Sequence, residues 1–209
     1  MKEIDTPDWL SFFGADFSAM MPEDWQEQVE KLVLSSAKST ILDGASETSR
    51  EGPGTRIPVK VVEGKAIQDT LPWLVDLYEQ DFRAFAMRRF GSSIYRCNDA
   101  NDAININCIE GVAARYEWHV DTNPVTGILF LDTFDEEDGG ALIFRHQGET
   151  YRFLPMSGWF CCFAAQTVEH AVEPLAKASR RISIPMNYYL NEDNSGRDPA
   201  LKGYLANDR

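Results

Sequence analysis

The feature that most constrains the fold of this chain is a succession of short, strand-length segments after residue 93, each closed by a turn signal. Ile104, Ile106 and Cys108 alternate with Asn105 and Asn107, the period of two that sends successive side chains to opposite faces of a sheet. Further candidate strands fall at residues 114–120, 126–132, 141–145, 150–153, 158–164 and 181–189. Between them stand Thr122-Asn123-Pro124, Asp138-Gly139-Gly140, Gln147-Gly148 and a turn at residues 155–158, rich in the residues that supply turn dihedrals. Many short strands so closely spaced predict an all-β sandwich or barrel.

The first half reads as helical. Pro22 can open a helix in which Trp25, Val29, Leu32 and Val33 share one buried face. A Gly/Ser/Pro-rich loop at 43–54 precedes a short strand at 56–62. A second helix is predicted from Thr70 as N-cap to Phe90, with Gly91 as its stop. Its apolar stripe is Leu71, Leu74, Val75, Tyr78, Phe82 and Phe85, which reads as core. The expected architecture is α+β, mainly β: a jelly roll over 93–190, a mainly helical part over 1–92 packed outside it, and a polar tail over 191–209, all in one domain.

At 209 residues the chain can bury a core without disulfide or metal staples. Its 33 acidic and 20 basic residues give a net charge of −13, which opposes gripping nucleic acid or an anionic membrane. No apolar stretch of signal-peptide or membrane-span length is visible, so a cytoplasmic protein is expected. Cys97, Cys108, Cys161 and Cys162 form no C-x-x-C pair and read as reduced, mostly buried thiols.

The chemistry concentrates in two of the three histidines. His119-Val120-Asp121 places an imidazole and a carboxylate at i and i+2, on one face of an extended segment, so both can reach one metal. A second apolar run, residues 158–165, leads toward His170. Two histidines and one carboxylate on one face leave adjacent positions open, as iron(II) needs to bind a bidentate co-substrate and oxygen together. Beyond His170, Pro174 and Leu175 suggest a turn. A hairpin there would return Arg181 beside the metal, where a guanidinium can take a carboxylate in a two-point grip. Ser183, two residues on, shares its face. Arg180 is the competing assignment.

Taken in order, HVD, GILFLD, DEEDGGAL, GWFCCF, His170 and RIS resemble the iron(II)- and 2-oxoglutarate-dependent dioxygenases. The likeness is closest to their compact prolyl-hydroxylase-like branch and runs from about Asn107 to Tyr189. It implies a double-stranded β-helix with iron on His119, Asp121 and His170, and 2-oxoglutarate held by Arg181 and Ser183. It also implies oxygen as co-substrate, ascorbate as activator, and release of succinate and CO2. Some relatives add a tyrosine hydroxyl from the strand after H-x-D, where this chain offers Phe130. Related halogenases replace the carboxylate by a small residue, so Asp121 favours hydroxylation, desaturation or cyclisation.

Other polar residues carry weaker signals. Asn107 is a candidate co-substrate contact, with a structural hydrogen bond as the alternative. Arg115 and Glu117 share the parity of His119 and are candidate substrate contacts, unless they pair with each other or a bulge turns them outward. Asn123 is a further candidate. Tyr116 and Trp118, of opposite parity, are expected to pack against the helical layer. His146 reads as exposed or structural, and Asp135–Asp138 as a solvated turn. The leading expectation is oxidation of a small molecule, such as an amino acid or biosynthetic intermediate. A hydroxylase of a peptide or protein side chain is the runner-up, and an inert metal- or ligand-binding jelly roll is the alternative from another class.

Overall fold

The computed structural model describes residues 4, 6–43, 56–178 and 180–194. The expected 43–54 loop beyond Asp43, and the tail from 195 on, lie outside the described residues.

Alternation of apolar residues decides how the strands are used. The strands are β1 (Phe12–Asp16), β2 (Lys38–Asp43), β3 (Arg56–Val62), β4 (Tyr95–Arg96), β5 (Ile106–Glu110) and β6 (Tyr116–His119). They continue with β7 (Val125–Phe130), β8 (Leu142–His146), β9 (Glu149–Phe153), β10 (Trp159–Phe163), β11 (Glu169–Val172) and β12 (Arg180–Tyr189). One sheet runs β1-β10-β7-β12-β5-β3-β2, with β4 on β12; a smaller one runs β6-β11-β8-β9. All pairings are antiparallel. The two sheets face each other as the jelly roll predicted from strand spacing.

The large sheet is buried on both faces. Ile182, Ile184, Met186 and Tyr188 of β12 join Ile106, Cys108, Leu129 and Phe160 in a core shared with the helices. Their alternates, Ile109, Ile128 and Phe130, join Phe144, Phe153 and Phe163 between the sheets. Each such large side chain removed from water contributes about 1.5–3 kcal/mol. Residues at 181, 183, 185 and 187 share that inner face, so polar groups there lie between the sheets by parity alone.

The helices are α1 (Trp25–Ser36), α2 (Gly64–Thr70), α3 (Pro72–Leu77), α4 (Arg83–Phe90) and α5 (Ala100–Ala103), with a π-helical turn Tyr78–Phe82 joining α3 to α4. Trp25, Val29, Leu32 and Val33 are buried, as their spacing predicts. The single helix expected from Thr70 is corrected: Thr70 ends α2, and Pro72 opens α3. A residue preceding proline is driven out of the helical region, and Leu71 lies at φ −122°, ψ 61°. Gly91 stops α4 at φ 62°, where a side chain would be strained. Phe82 of the π turn stacks on Phe160 with centroids 4.2 Å apart, fastening this layer to the large sheet. Four strands are additional to the sequence reading: β1, β2, β4 and β11.

The predicted hairpin after His170 is also corrected. β11 pairs with β6 and β8 in the small sheet, whereas β12 pairs with β5 and β7 in the large one. The chain therefore crosses between sheets around Pro174, and Leu175 bridges to Gly139 on the way. Arg181 still faces inward, from the opposite wall. All four cysteines are free and buried. No helix among the described residues is long and apolar enough to cross a membrane.

Candidate active site

His119 ends β6 and His170 lies on β11 directly opposite it, so backbone pairing alone brings the two rings together, with centroids 4.3 Å apart. Asp121 follows on the segment leaving β6, where its N–H donates to the Ala165 carbonyl at 3.0 Å. Asp121 Oδ1 lies 3.6 Å from His119 Nε2 and 3.5 Å from His170 Nε2. One ligand atom from each of the three falls within 4.8 Å of the others.

Hydrogen bonds fix which atoms face the centre. His119 Nδ1 sits 2.7 Å from the Glu117 carbonyl, and His170 Nδ1 sits 3.1 Å from the Val168 carbonyl. A carbonyl only accepts, so each Nδ1 carries a proton, and each ring turns its Nε2 edge inward. Burial and the adjacent His170 push His119 down to about 4. Burial pushes Asp121 up, but the two imidazoles and the Thr126 hydroxyl outweigh it and hold the carboxyl at about 2. Thr126 Oγ1 donates to Asp121 Oδ2. One metal-ligating atom from each of the three side chains thus converges on a single point, an arrangement that a cation stabilises.

Arg181 forms the other end of the cavity. It is 2% exposed. Its Nε donates to the Gly140 carbonyl and its Nη1 to Ser183 Oγ, both at 3.0 Å. Nη2 is buried with no hydrogen-bond partner. Burial pulls this guanidinium down to about 10, partly offset by Tyr116 and Asp132. An always-charged group left short of acceptors is costly, and a carboxylate arriving there supplies what is missing. The turn Gly139-Gly140 makes the arrangement possible, with both residues at positive φ. A Cβ on Gly139 would lie 2.3 Å from the Pro174 carbonyl. Arg180, by contrast, is half-exposed and paired with Glu30 on α1.

One cavity is lined by the triad, Arg181, Ser183, Asn105, Asn107 and Asn123 among others. Asn107 Oδ1 is buried without a partner, and Asn107 is the cross-strand neighbour of Ser183. The Asn123 carboxamide N–H donates to Val125 O and Thr126 Oγ1, so it braces the loop that carries Asp121. Arg115 and Glu117 lie outside the cavity lining and pair with each other at 2.6 Å.

Tyr116 corrects its predicted place: it lines the cavity. The reason is a register shift, since His119 pairs with His170 but Tyr116 with Val172. Two residues of β6 thus oppose one of β11, and this bulge puts Tyr116 and His119 on the same face. Trp118 is likewise not in the helical layer; the Arg145 guanidinium lies 4.3 Å over its ring. Phe130 places its ring beneath Arg181, 5.4 Å from the guanidinium carbon. His146 is exposed beside Trp9, and Asp135 and Asp138 cap their own turn. Tyr116, Thr126, Asn105 and Asn187 are cavity residues that the sequence reading did not assign to the site. Parity on β7 and β12 could have found Thr126 and Asn187.

Residues 104–189 match the family model of the 2OG-Fe(II) oxygenase superfamily. A search of curated protein sequences found no match. Among solved structures, the chain resembles an oxidoreductase of the 2OG-Fe(II) oxygenase family from Burkholderia pseudomallei. The TM-score is 0.67 at 13% identity, over 90% of this chain and 89% of that one. A prolyl hydroxylase from Trichoplax adhaerens, in complex with a hypoxia inducible factor peptide fragment, aligns at TM-score 0.59 and 16% identity. That alignment covers 92% and 88% of the two chains. The α-ketoglutarate-dependent epimerase SnoN from nogalamycin biosynthesis aligns at TM-score 0.63 and 12% identity, over 93% and 87%.

Proposed function

We propose that this chain, whose residues 104–189 carry the core of the 2OG-Fe(II) oxygenases, oxidises a C–H bond of a small molecule. The reading assigns iron(II) to His119, Asp121 and His170, and 2-oxoglutarate to Arg181 and Ser183 with Asn107 as a third contact. Iron(II) held by these three side chains would, with 2-oxoglutarate and oxygen, supply the oxidant, with succinate and CO2 as the co-products and ascorbate as activator. The outcome is hydroxylation, or desaturation or cyclisation. The domain is the whole chain, 1–209.

One observation carries the reading. A cluster of three inward-facing metal-ligating atoms shares a cavity with a buried guanidinium that has an unpartnered nitrogen. The protein's own contributions follow from the contacts. The Glu117 and Val168 carbonyls lock the imidazole orientations, and Thr126 and the Ala165 carbonyl hold Asp121. Arg181 and Ser183 orient a dicarboxylate by its far end. Ile128, Leu142, Phe163 and Val172 line the same cavity and keep bulk water from the reacting end.

The test is succinate formation from 2-oxoglutarate by the full chain with iron(II) and ascorbate. Succinate above a no-protein control, abolished by a chelator and restored by iron(II), supports the reading. No succinate under these conditions, or succinate unaffected by chelation, contradicts it.

A further inference from the structure

The cavity wall beyond the triad carries two carboxamides that the oxygenase reading leaves without a task. Asn105 is 3% exposed, lines the cavity, and its side chain makes no hydrogen bond among the described residues. Its backbone N–H donates to the Pro185 carbonyl at 3.0 Å, which fixes it on the rung of β12 between Ser183 and Asn187. Asn187 also lines the cavity. Its Nδ2 donates to the Asp102 carbonyl at 2.6 Å, so the oxygen Oδ1 is the atom it has to offer.

Register places these amides relative to the chemistry. Asn187 is the cross-strand partner of Thr126, and Thr126 holds Asp121. From Arg181, the inward positions of β12 therefore lead through Ser183 and Pro185 to Asn187 beside the triad. A dicarboxylate gripped by Arg181 and reaching the metal covers the Ser183 rung, where Asn107 stands. Asn105 and Asn187 border the space left at the metal end, where the C–H bond to be oxidised must lie.

The Asn105 carboxamide opens on the cavity without a hydrogen-bond partner among the described residues, so water or a bound ligand must satisfy it. Asn105 offers a donor and an acceptor side by side, and Asn187 adds an acceptor. The only lysine or arginine lining the cavity among the described residues is Arg181, and the co-substrate engages it. On the side bordered by Asn105 and Asn187, an anionic group would face the carboxylate of Asp102, also in the lining, and no cationic side chain of that lining stands there to offset it. The geometry points to a prime substrate that presents an uncharged donor–acceptor group, an amide, to Asn105 and Asn187. This rests on the oxygenase reading and narrows its small molecule away from free amino acids, whose carboxylate has no partner here.

The probes are matched sets built on several amino acids: the N-acetyl methylamide (neutral), the N-acetyl acid (carboxylate) and the free-amine methylamide (ammonium). Binding is followed by ligand-observed NMR on the full chain loaded with iron(II) and 2-oxoglutarate without oxygen. The neutral members should bind about tenfold or more tighter than their carboxylate counterparts, since a site built to hydrogen-bond rejects an ill-matched group. In Asn105→Asp the order should move toward the ammonium members, because the isosteric carboxylate keeps shape and adds charge. No binding by any neutral member, tightest binding by a carboxylate, or an unchanged order in Asn105→Asp each overturns the inference. The oxygenase reading is decided separately, by succinate formation without any probe.

Discussion

His119 and His170 are cross-strand partners in the small sheet, each with its Nδ1 bound to a backbone carbonyl two residues earlier in the chain. The sheet thus sets both the separation of the rings and their tautomers before any metal arrives. Such preorganisation lowers the ordering cost of binding, and it makes the groups that position the ligands testable.

Thr126→Val removes the hydroxyl that donates to Asp121 Oδ2 while keeping a β-branched side chain suited to the strand. Loss of an outer contact of this kind typically lowers metal affinity about 10–100-fold. Titration of the chelated, metal-free protein with iron(II) in the absence of oxygen should show that drop with an unchanged circular dichroism spectrum. Unaltered affinity would mean that Thr126 does not position Asp121.

Arg181→Ala should raise the 2-oxoglutarate requirement far more than Arg180→Ala. Arg181 is buried between the sheets, whereas Arg180 pairs with Glu30 in partial exposure. Truncating one partner of a desolvated charge pair costs about 2–5 kcal/mol, roughly 30- to several-thousand-fold in affinity. Steady-state kinetics in 2-oxoglutarate checks this; equal effects, or a larger effect at Arg180, would reverse the assignment.

Stability of the metal-free protein should fall as pH drops below about 6.5. His119 is held neutral, with its folded value near 4, so between those pH values the unfolded chain binds a proton that the folded chain refuses. Stability therefore rises with pH across this window, by at most about 1.4 kcal/mol per pH unit from this group. Thermal melts between pH 6.5 and 5 should show the slope, and His119→Gln should reduce it. An identical slope in the variant would contradict a neutral, buried His119.

Much of this was legible in the sequence because parity is a local property. Alternation along 104–108 put Asn105 and Asn107 on one face, R-x-S put Arg181 with Ser183, and H-x-D put His119 with Asp121. What failed was non-local or depended on broken parity. The crossing at Pro174 from one sheet to the other reads in sequence as a hairpin turn, because pairing partners are chosen by the whole barrel. The bulge in β6 reverses parity between Tyr116 and His119, and no residue in Tyr116-Glu117-Trp118 announces it. It also leaves Arg115 and Glu117 paired with each other outside the cavity, the alternative to a substrate contact that the sequence left open. The helix expected at Thr70 misread the effect of Pro72 on Leu71. Asn105 was visible only as half of an alternation; its lack of a partner is a property of the assembled cavity.

The most direct test of the central claim is iron-dependent succinate formation by His119→Ala, Asp121→Ala and His170→Ala beside the unmodified chain. The three side chains meet from two separate strands and the segment after β6, so each removes one ligand from the same ion. Each variant should lose iron(II) binding and turnover while its circular dichroism spectrum still reports the folded β-sheet protein. Near-unmodified turnover in any one of the three, with the variant folded, would contradict the assignment of these residues as the metal site.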